Sequence, residues 1–266
     1  MQFSRVAHPS TTYRRVLAVA SVGLVMILAA CSTPEPQSLK NAQSYVQQAN
    51  LKQLDLPAGW SAQSTPSGSA TPAAASLSDS QLKIVNGIVS SLPAGCQVLK
   101  GTLIASLESS PPPGTVAQNV AQYSSAADGN ATISSTVAVF GTLSKAQATY
   151  ALYSASTFPS CLQGFLSRVL PAMFNETVRQ EAIVSVPTPA LPAGINGIAF
   201  SVATQAAPGK NAQTRVSVSQ EVVMQSGRAL SFVEEQSETT ALPVDTQTVF
   251  DQSVATVAHR LVHPPT

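Results

Sequence analysis

Three thiols carry the clearest chemistry in the 266-residue chain: Cys31, Cys96 and Cys161. Cys31 closes the run Leu28-Ala29-Ala30-Cys31, where two small residues let a peptidase approach the backbone and the thiol can be acylated. That leaves an even pair. In an oxidising compartment, Cys96 and Cys161 are expected to bond to each other. The bridge would close a loop of about 65 residues, worth roughly 4 kcal/mol by chain entropy. Two separate buried thiols are the competing reading. A metal site is disfavoured, because neither cysteine has a CxxC partner or a nearby histidine.

Other reactive types are sparse. His259 and His263 lie four apart, a metal-ligand spacing on a helix, yet Pro264-Pro265 follows at once and no acid lies between them. They read as solvated tail histidines. Ser80-Gln81-Leu82-Lys83 matches S-x-x-K without the partner motifs of penicillin-binding enzymes, and serine is common enough here for chance to suffice. No G-x-S-x-G elbow and no phosphate-binding glycine loop occurs. Glu234-Glu235 are adjacent on a strand and face opposite sides, which prevents their pairing for acid–base work. Asn130 and Asn175 begin N-x-T sequons. No catalytic residue, metal or cofactor is expected, and the chain does not read as an enzyme. Binding is the remaining use. Tyr150, Tyr153, Phe158, Phe165 and Phe174 cluster in one central segment, and Tyr150, Tyr153, Phe165 and Phe174 are the candidate ligand contacts. Ordinary core packing competes for each. A cleft would leave at least two of them partly exposed around one concavity.

The position of Cys31 depends on what precedes it. Arg5, Arg14 and Arg15 are the only charges before an apolar or small run of fifteen residues, Val16–Ala30. Positive n-region, apolar h-region and small-residue cleavage site make residues 1–30 a secretory signal. An uncleaved transmembrane helix is the alternative, but spanning needs roughly 20 apolar residues and no basic stop-transfer cluster follows. The L-A-A-C ending resembles the lipobox of bacterial lipoproteins. That resemblance implies diacylglycerol on Cys31, an N-terminus at that residue and anchoring to the outer side of the cell membrane, with further acylation (palmitate) making release difficult. Arg14-Arg15 leaves the export route open between the general and the twin-arginine pathways.

Removal of the leader's three arginines leaves 11 basic residues against 13 acidic ones, a net charge of about −2. A weakly acidic chain without a Lys/Arg run argues against nucleic acid, whose phosphates demand neutralisation, and against a polybasic grip on anionic lipid. Residues 31–77 read as a lipidated tether rich in Ser, Pro and Ala, which cannot bury enough surface to offset its ordering entropy. Leu51, Leu54, Leu56 and Trp60 within it are expected to dock on the domain, with Trp60, the only tryptophan, plugging the core's edge rather than forming a ligand platform.

Residues 78–263 read as one domain. Ser78-Asp79-Ser80-Gln81 is a capping box before Leu82, Val85, Val89 and Leu92 at helical spacing. Residues 96–110 have weak strand character. Two strands over 116–123 and 132–140 flank Asp128-Gly129-Asn130. A capping-box pattern at Ser144 opens a helix to about 156, and Phe158-Pro159 restarts a second one that Pro171 ends or kinks. Four strands follow, two of them around Gln225-Ser226-Gly227, and Asp245 caps a last helix with Phe250, Val254, Val257 and Leu261 inward. The expected fold is α+β: an antiparallel sheet of about five to six strands with helices packed on one face.

Val137-Ala138-Val139-Phe140 ending a hairpin, Ala146-Gln147-Ala148 in the next helix and Phe158-Pro159-Ser160-Cys161 opening another resemble the PknH-type extracellular sensor domain, which recurs in secreted mycobacterial lipoproteins. The long strand and the Gly227-Arg228 turn continue the likeness over roughly residues 77–262. The second cysteine pair usual in that family has no counterpart here. The element order is also similar to the PsbP-like lipoproteins. These resemblances imply an actinobacterial cell-envelope lipoprotein with a sensor-like or ligand-binding domain. Its partner would be an unknown envelope ligand or protein. The alternative is a structural or assembly lipoprotein that docks on a protein without a small ligand.

Overall fold

A computed structural model describes residues 39–63, 78–103, 111–125, 131–174, 176–208, 215–237 and 244–263. The leader, Cys31, the Asp128-Gly129-Asn130 turn and Asn175 lie outside the described residues. So do residues 64–77 of the expected tether.

Seven strands form one antiparallel sheet: β1 (Trp60–Ala62), β2 (Thr115–Ser125), β3 (Ala131–Phe140), β4 (Glu176–Val186), β5 (Asn196–Pro208), β6 (Arg215–Ser226) and β7 (Ala229–Ser237). Their spatial order is β1-β2-β3-β7-β6-β5-β4. Two meanders, β1-β2-β3 and β4-β5-β6-β7, thus meet along β3 and β7. The sheet is longer than the expected five to six strands because Trp60–Ala62 adds an edge to β2.

Helices cover both faces, not one. The cause lies in the central strands, which are apolar at both parities. In β3, Ile133, Val137 and Val139 point one way and Ala138 and Phe140 the other; β6 does the same with Val222 and Met224 against Val223. Neither face can be left wet. On the first face pack α1 (Leu39–Ala49) and α6 (Val244–Val262). Phe250, Val254, Val257 and Leu261 of α6 are all at most 1 % exposed, and each such side chain contributes roughly 1.5–3 kcal/mol of burial. On the second face lie α2 (Asp79–Ser90), α3 (Ala94–Gln97), α4 (Leu143–Tyr153) and α5 (Phe158–Phe174).

Ser78 caps α2 with the expected reciprocal box: its hydroxyl accepts from Gln81 N–H, and Gln81 Oε1 accepts from Ser78 N–H. Thr142, not Ser144, caps α4, accepting from Lys145 N–H. Residues 94–97 and 100–103 are helical rather than strand-like. Pro171 does not stop α5, which runs on to Phe174.

The N-terminal segment is the largest departure from expectation. Residues 39–63 belong to the domain and not to the tether. Ala42, Tyr45, Val46 and Ala49 put one stripe of α1 into the first core; Leu51, Leu56 and Trp60 dock on it as expected, whereas Leu54 stands exposed. Polar contacts lock the segment down. Tyr45 Oη donates to the Leu261 carbonyl at 2.8 Å, and Arg260 grips both carboxylate oxygens of Asp55 at 2.7 Å while donating to the Asn50 carbonyl. Among the described residues, no helix is long and apolar enough to cross a membrane.

Candidate functional site

Sheet register decides what the second face offers. From the turn at Gly227, which adopts φ +52°, β6 and β7 pair outward so that Glu221 stands directly opposite Glu234. Such cross-strand neighbours have Cβ atoms about 4.5–5.5 Å apart. The row runs on through Ser134 and Gln122 on one side and Phe200 on the other. Flanking rows bring Thr136 opposite Phe232, and Gln236 opposite Ser219 beside Val202. This part of the face is polar, where a continuous core would be apolar. The helices leave it uncovered.

The result is a cleft of about 500 Å³ over the polar floor, walled by α4, α5 and residues 102–103. Its volume falls within the usual range for small-molecule sites. Tyr153, the last residue of α4, and Phe158, the first of α5, flank the short link between these helices and both line the cleft. Their rings stand 5.2 Å apart, Tyr153 lies 5.2 Å from Phe232 nearly edge-on, and Phe158 lies 5.3 Å from Phe200. Such spacings suit edge-to-face packing. Leu162 and Leu166 extend the wall along α5. The Cys96–Cys161 disulfide, with Cα atoms 5.3 Å apart, ties the first turn of α5 to α3 and so fixes the wall one residue from Leu162.

Electrostatics on the floor are unusual. Burial raises both Glu221 and Glu234 above the ordinary carboxylate range, and their mutual repulsion adds to the rise at Glu221. Two acids this close resist carrying both charges at once, so the pair holds a proton more readily than either acid would alone. Tyr153 is 7 % exposed. Its hydroxyl has no hydrogen-bond partner among the described residues and is raised by burial and then by the charge of Glu221. Gln118 Oε1, also lining the cleft, is buried without a partner. Such an arrangement can keep a proton between two carboxyls or accept hydrogen bonds from a bound donor.

Of the residues singled out in the sequence, Tyr153 lines the cleft. Tyr150 is half-buried beside the second core and does not line it, and Phe165 is fully buried in that core. The side chain of Phe174 lies outside the described part of α5. Partial exposure of two of these aromatics around the concavity is not observed: Tyr153 and Phe158 line it and are both buried. Glu221 and Glu234 were not anticipated as a pair. Glu234 and Glu235 do face opposite sides, and the acid that matters lies on the neighbouring strand. Ser80 and Lys83 are exposed on α2, with the Ser80 hydroxyl sharing a hydrogen bond with Ser78. The exposed rings of His259 and His263 are 5.1 Å apart. Among the described residues no three His, Cys, Asp or Glu side chains gather as a metal site.

No protein-family model matches the chain, and no curated protein matches it. Among solved structures, the chain is similar to the extracellular domain of PknH from Mycobacterium tuberculosis, at 11% sequence identity and a TM-score of 0.41, over 83% of this chain and 96% of that one.

Proposed function

We propose that the chain is a lipoprotein of the cell envelope, anchored through Cys31 outside the membrane, whose domain binds a small ligand in the cleft over Glu221 and Glu234 in a sensor-like role. The observation that carries the reading is the cleft itself. Convergent polar groups without protein partners sit beneath an aromatic wall, an arrangement that core packing alone does not need. The secretory leader and the Cys96–Cys161 bond support an oxidising, extracytoplasmic setting. Docking on a protein partner is less favoured, because among the described residues the exposed large apolar side chains, such as Leu54, Val98 and Val184, lie on different elements.

Two measurements test the proposal. Incorporation of labelled fatty acid should require Cys31; equal labelling of Cys31→Ser would remove the anchor from it. For the cleft, purified protein is exposed to a cell-envelope extract and its bound small molecules are read by native mass spectrometry. A species retained by the natural chain and lost from Thr136→Trp, which fills the floor, is expected. Equal retention by both, or none by either, would count against a ligand cleft.

A further inference from the structure

We infer that the cleft recognises a small organic cation, an ammonium group carried on an apolar or aromatic body. The inference rests on the cleft being a ligand site, as proposed above, and names the chemistry of what enters it.

Three observations converge. First, the charged groups on the floor are acceptors, set among neutral hydroxyls and amides. Glu221 and Glu234 stand opposite each other, and the Gln118 amide oxygen is buried without a partner among the described residues. Among the described residues, no Lys, Arg or His lines the cleft to neutralise the acids. A ligand rich in N–H donors satisfies these acceptors, whereas an anion would face the acids with only neutral donors such as Ser134, Thr136 and Gln122 to offset them. Second, Tyr153, 7 % exposed, lines the same space, and its hydroxyl has no partner among the described residues. It supplies a polar contact beside the acids, independent of them. Third, the rings of Tyr153 and Phe158 in the wall run on to Phe232 in the floor as a continuous chain. Aromatic faces attract cations and also bury the ligand's apolar part.

Proton balance follows from the pair. With the cleft empty, burial and mutual repulsion favour a proton on the facing pair. An ammonium entering between them supplies the positive charge that the proton supplied, and the proton leaves to solvent. No covalent bond forms or breaks in the ligand. Binding therefore tightens as pH rises from about 6 to about 8, a range over which a site built on a single exposed carboxylate, already fully ionised, would show no change.

The test uses the full chain in a maltoside detergent with a matched micelle blank, and three probes of similar shape: phenethylamine, phenethyl alcohol and hydrocinnamate. Titration calorimetry in buffers of different ionisation enthalpy counts the protons released. The amine is expected to bind at least about tenfold more tightly than either other probe and to release a fraction of a proton approaching one near neutral pH. Glu221→Gln and Glu234→Gln each leave one charge, so binding persists while proton release falls. The double substitution removes the charge and weakens the amine by about tenfold or more. Ser219→Lys, which sets the protein's own ammonium beside the pair, should exclude the probe. Thermal unfolding checks that each variant is folded; the Gln variants relieve repulsion and are expected to fold at least as well. If the alcohol or the carboxylate binds as tightly as the amine, the charge assignment is overturned and the ligand cleft stands. Amine binding indifferent to the double substitution overturns the location. If no probe binds, the cation inference is overturned, and the envelope-extract experiment still decides separately whether the cleft is a ligand site.

Discussion

Glu235 has no exposed surface, and neither of its carboxyl oxygens has a hydrogen-bond partner among the described residues. It points to the first face, beneath α6, opposite Ile133 and Gln220 on the adjoining strands. Burial, with the charge of Asp251 behind it, pushes its carboxyl up to about 7. A buried acid without partners costs stability that an apolar group of similar volume does not. Glu235→Met is expected to stabilise the domain by about 1–3 kcal/mol at pH 8 and by less at pH 5, where the carboxyl carries its proton. Urea midpoints at the two pH values measure this, and destabilisation at both would show that the carboxyl has found a partner. The cysteines give the complementary case of a residue-scale bond with a long reach. Cys96→Ser and Cys161→Ser should cost the same, up to roughly 4 kcal/mol for a loop spanning 65 residues, with no further loss in the double variant. Additive losses would mean that the bond does not form in solution.

Among the elements, the strap formed by residues 39–63 shows how a weak sequence signal can hide a real structure. Ala42, Tyr45, Val46 and Ala49 recur at helical spacing. Two of the four are alanines, the rest of the helix is largely Asn, Gln and Ser, and a Ser/Pro run precedes it, so composition pointed to a tether. What fixes the strap is non-local: the Arg260–Asp55 pair spans most of the domain in sequence. Hydrogen bonds from Arg260 and from the Lys52 N–H outweigh burial and hold the Asp55 carboxyl below its ordinary range. A double-mutant cycle on Arg260→Ala and Asp55→Ala should return a coupling of about 1–3 kcal/mol for this half-buried bidentate pair. A coupling near zero would reduce the pair to a surface contact. The capping box at Ser78, the β2–β3 and β6–β7 hairpins and the last helix were legible because local chemistry and periodicity suffice for them. The Glu221–Glu234 pair was legible only in principle. Counting five residues back from Ser226 and five on from Ala229 pairs them, but a turn placed one residue off sends every side chain to the other face.

Across the whole molecule, the buried acids predict how stability follows pH. Glu221, Glu234 and Glu235 are all raised in the folded state from 4.5, Glu221 to about 8 and Glu235 to about 7. Each therefore binds its proton more tightly folded than unfolded. Its contribution is fully present below pH 4.5 and is lost progressively as pH rises through the folded value. Asp55 runs the other way: lowered when folded, it contributes above its unfolded value of 3.8 and that contribution is lost as pH falls through its folded value. The two trends bound a maximum in the mildly acid range. The melting temperature should peak near pH 5 and fall by several degrees, on the order of 5 °C, by pH 8. Glu221→Gln should flatten the fall on the alkaline side and leave the acid side unchanged, whereas Asp55→Asn should blunt only the acid side. A profile flat from pH 5 to pH 8 would mean that these carboxyls are hydrated in solution, and the cleft would lose the electrostatic character argued for it. An organic cation that replaces the shared proton should restore at pH 8 the stability that the empty cleft loses there, so the same melting curves, taken with and without phenethylamine, link the fold's acid preference to what the cleft is built to hold.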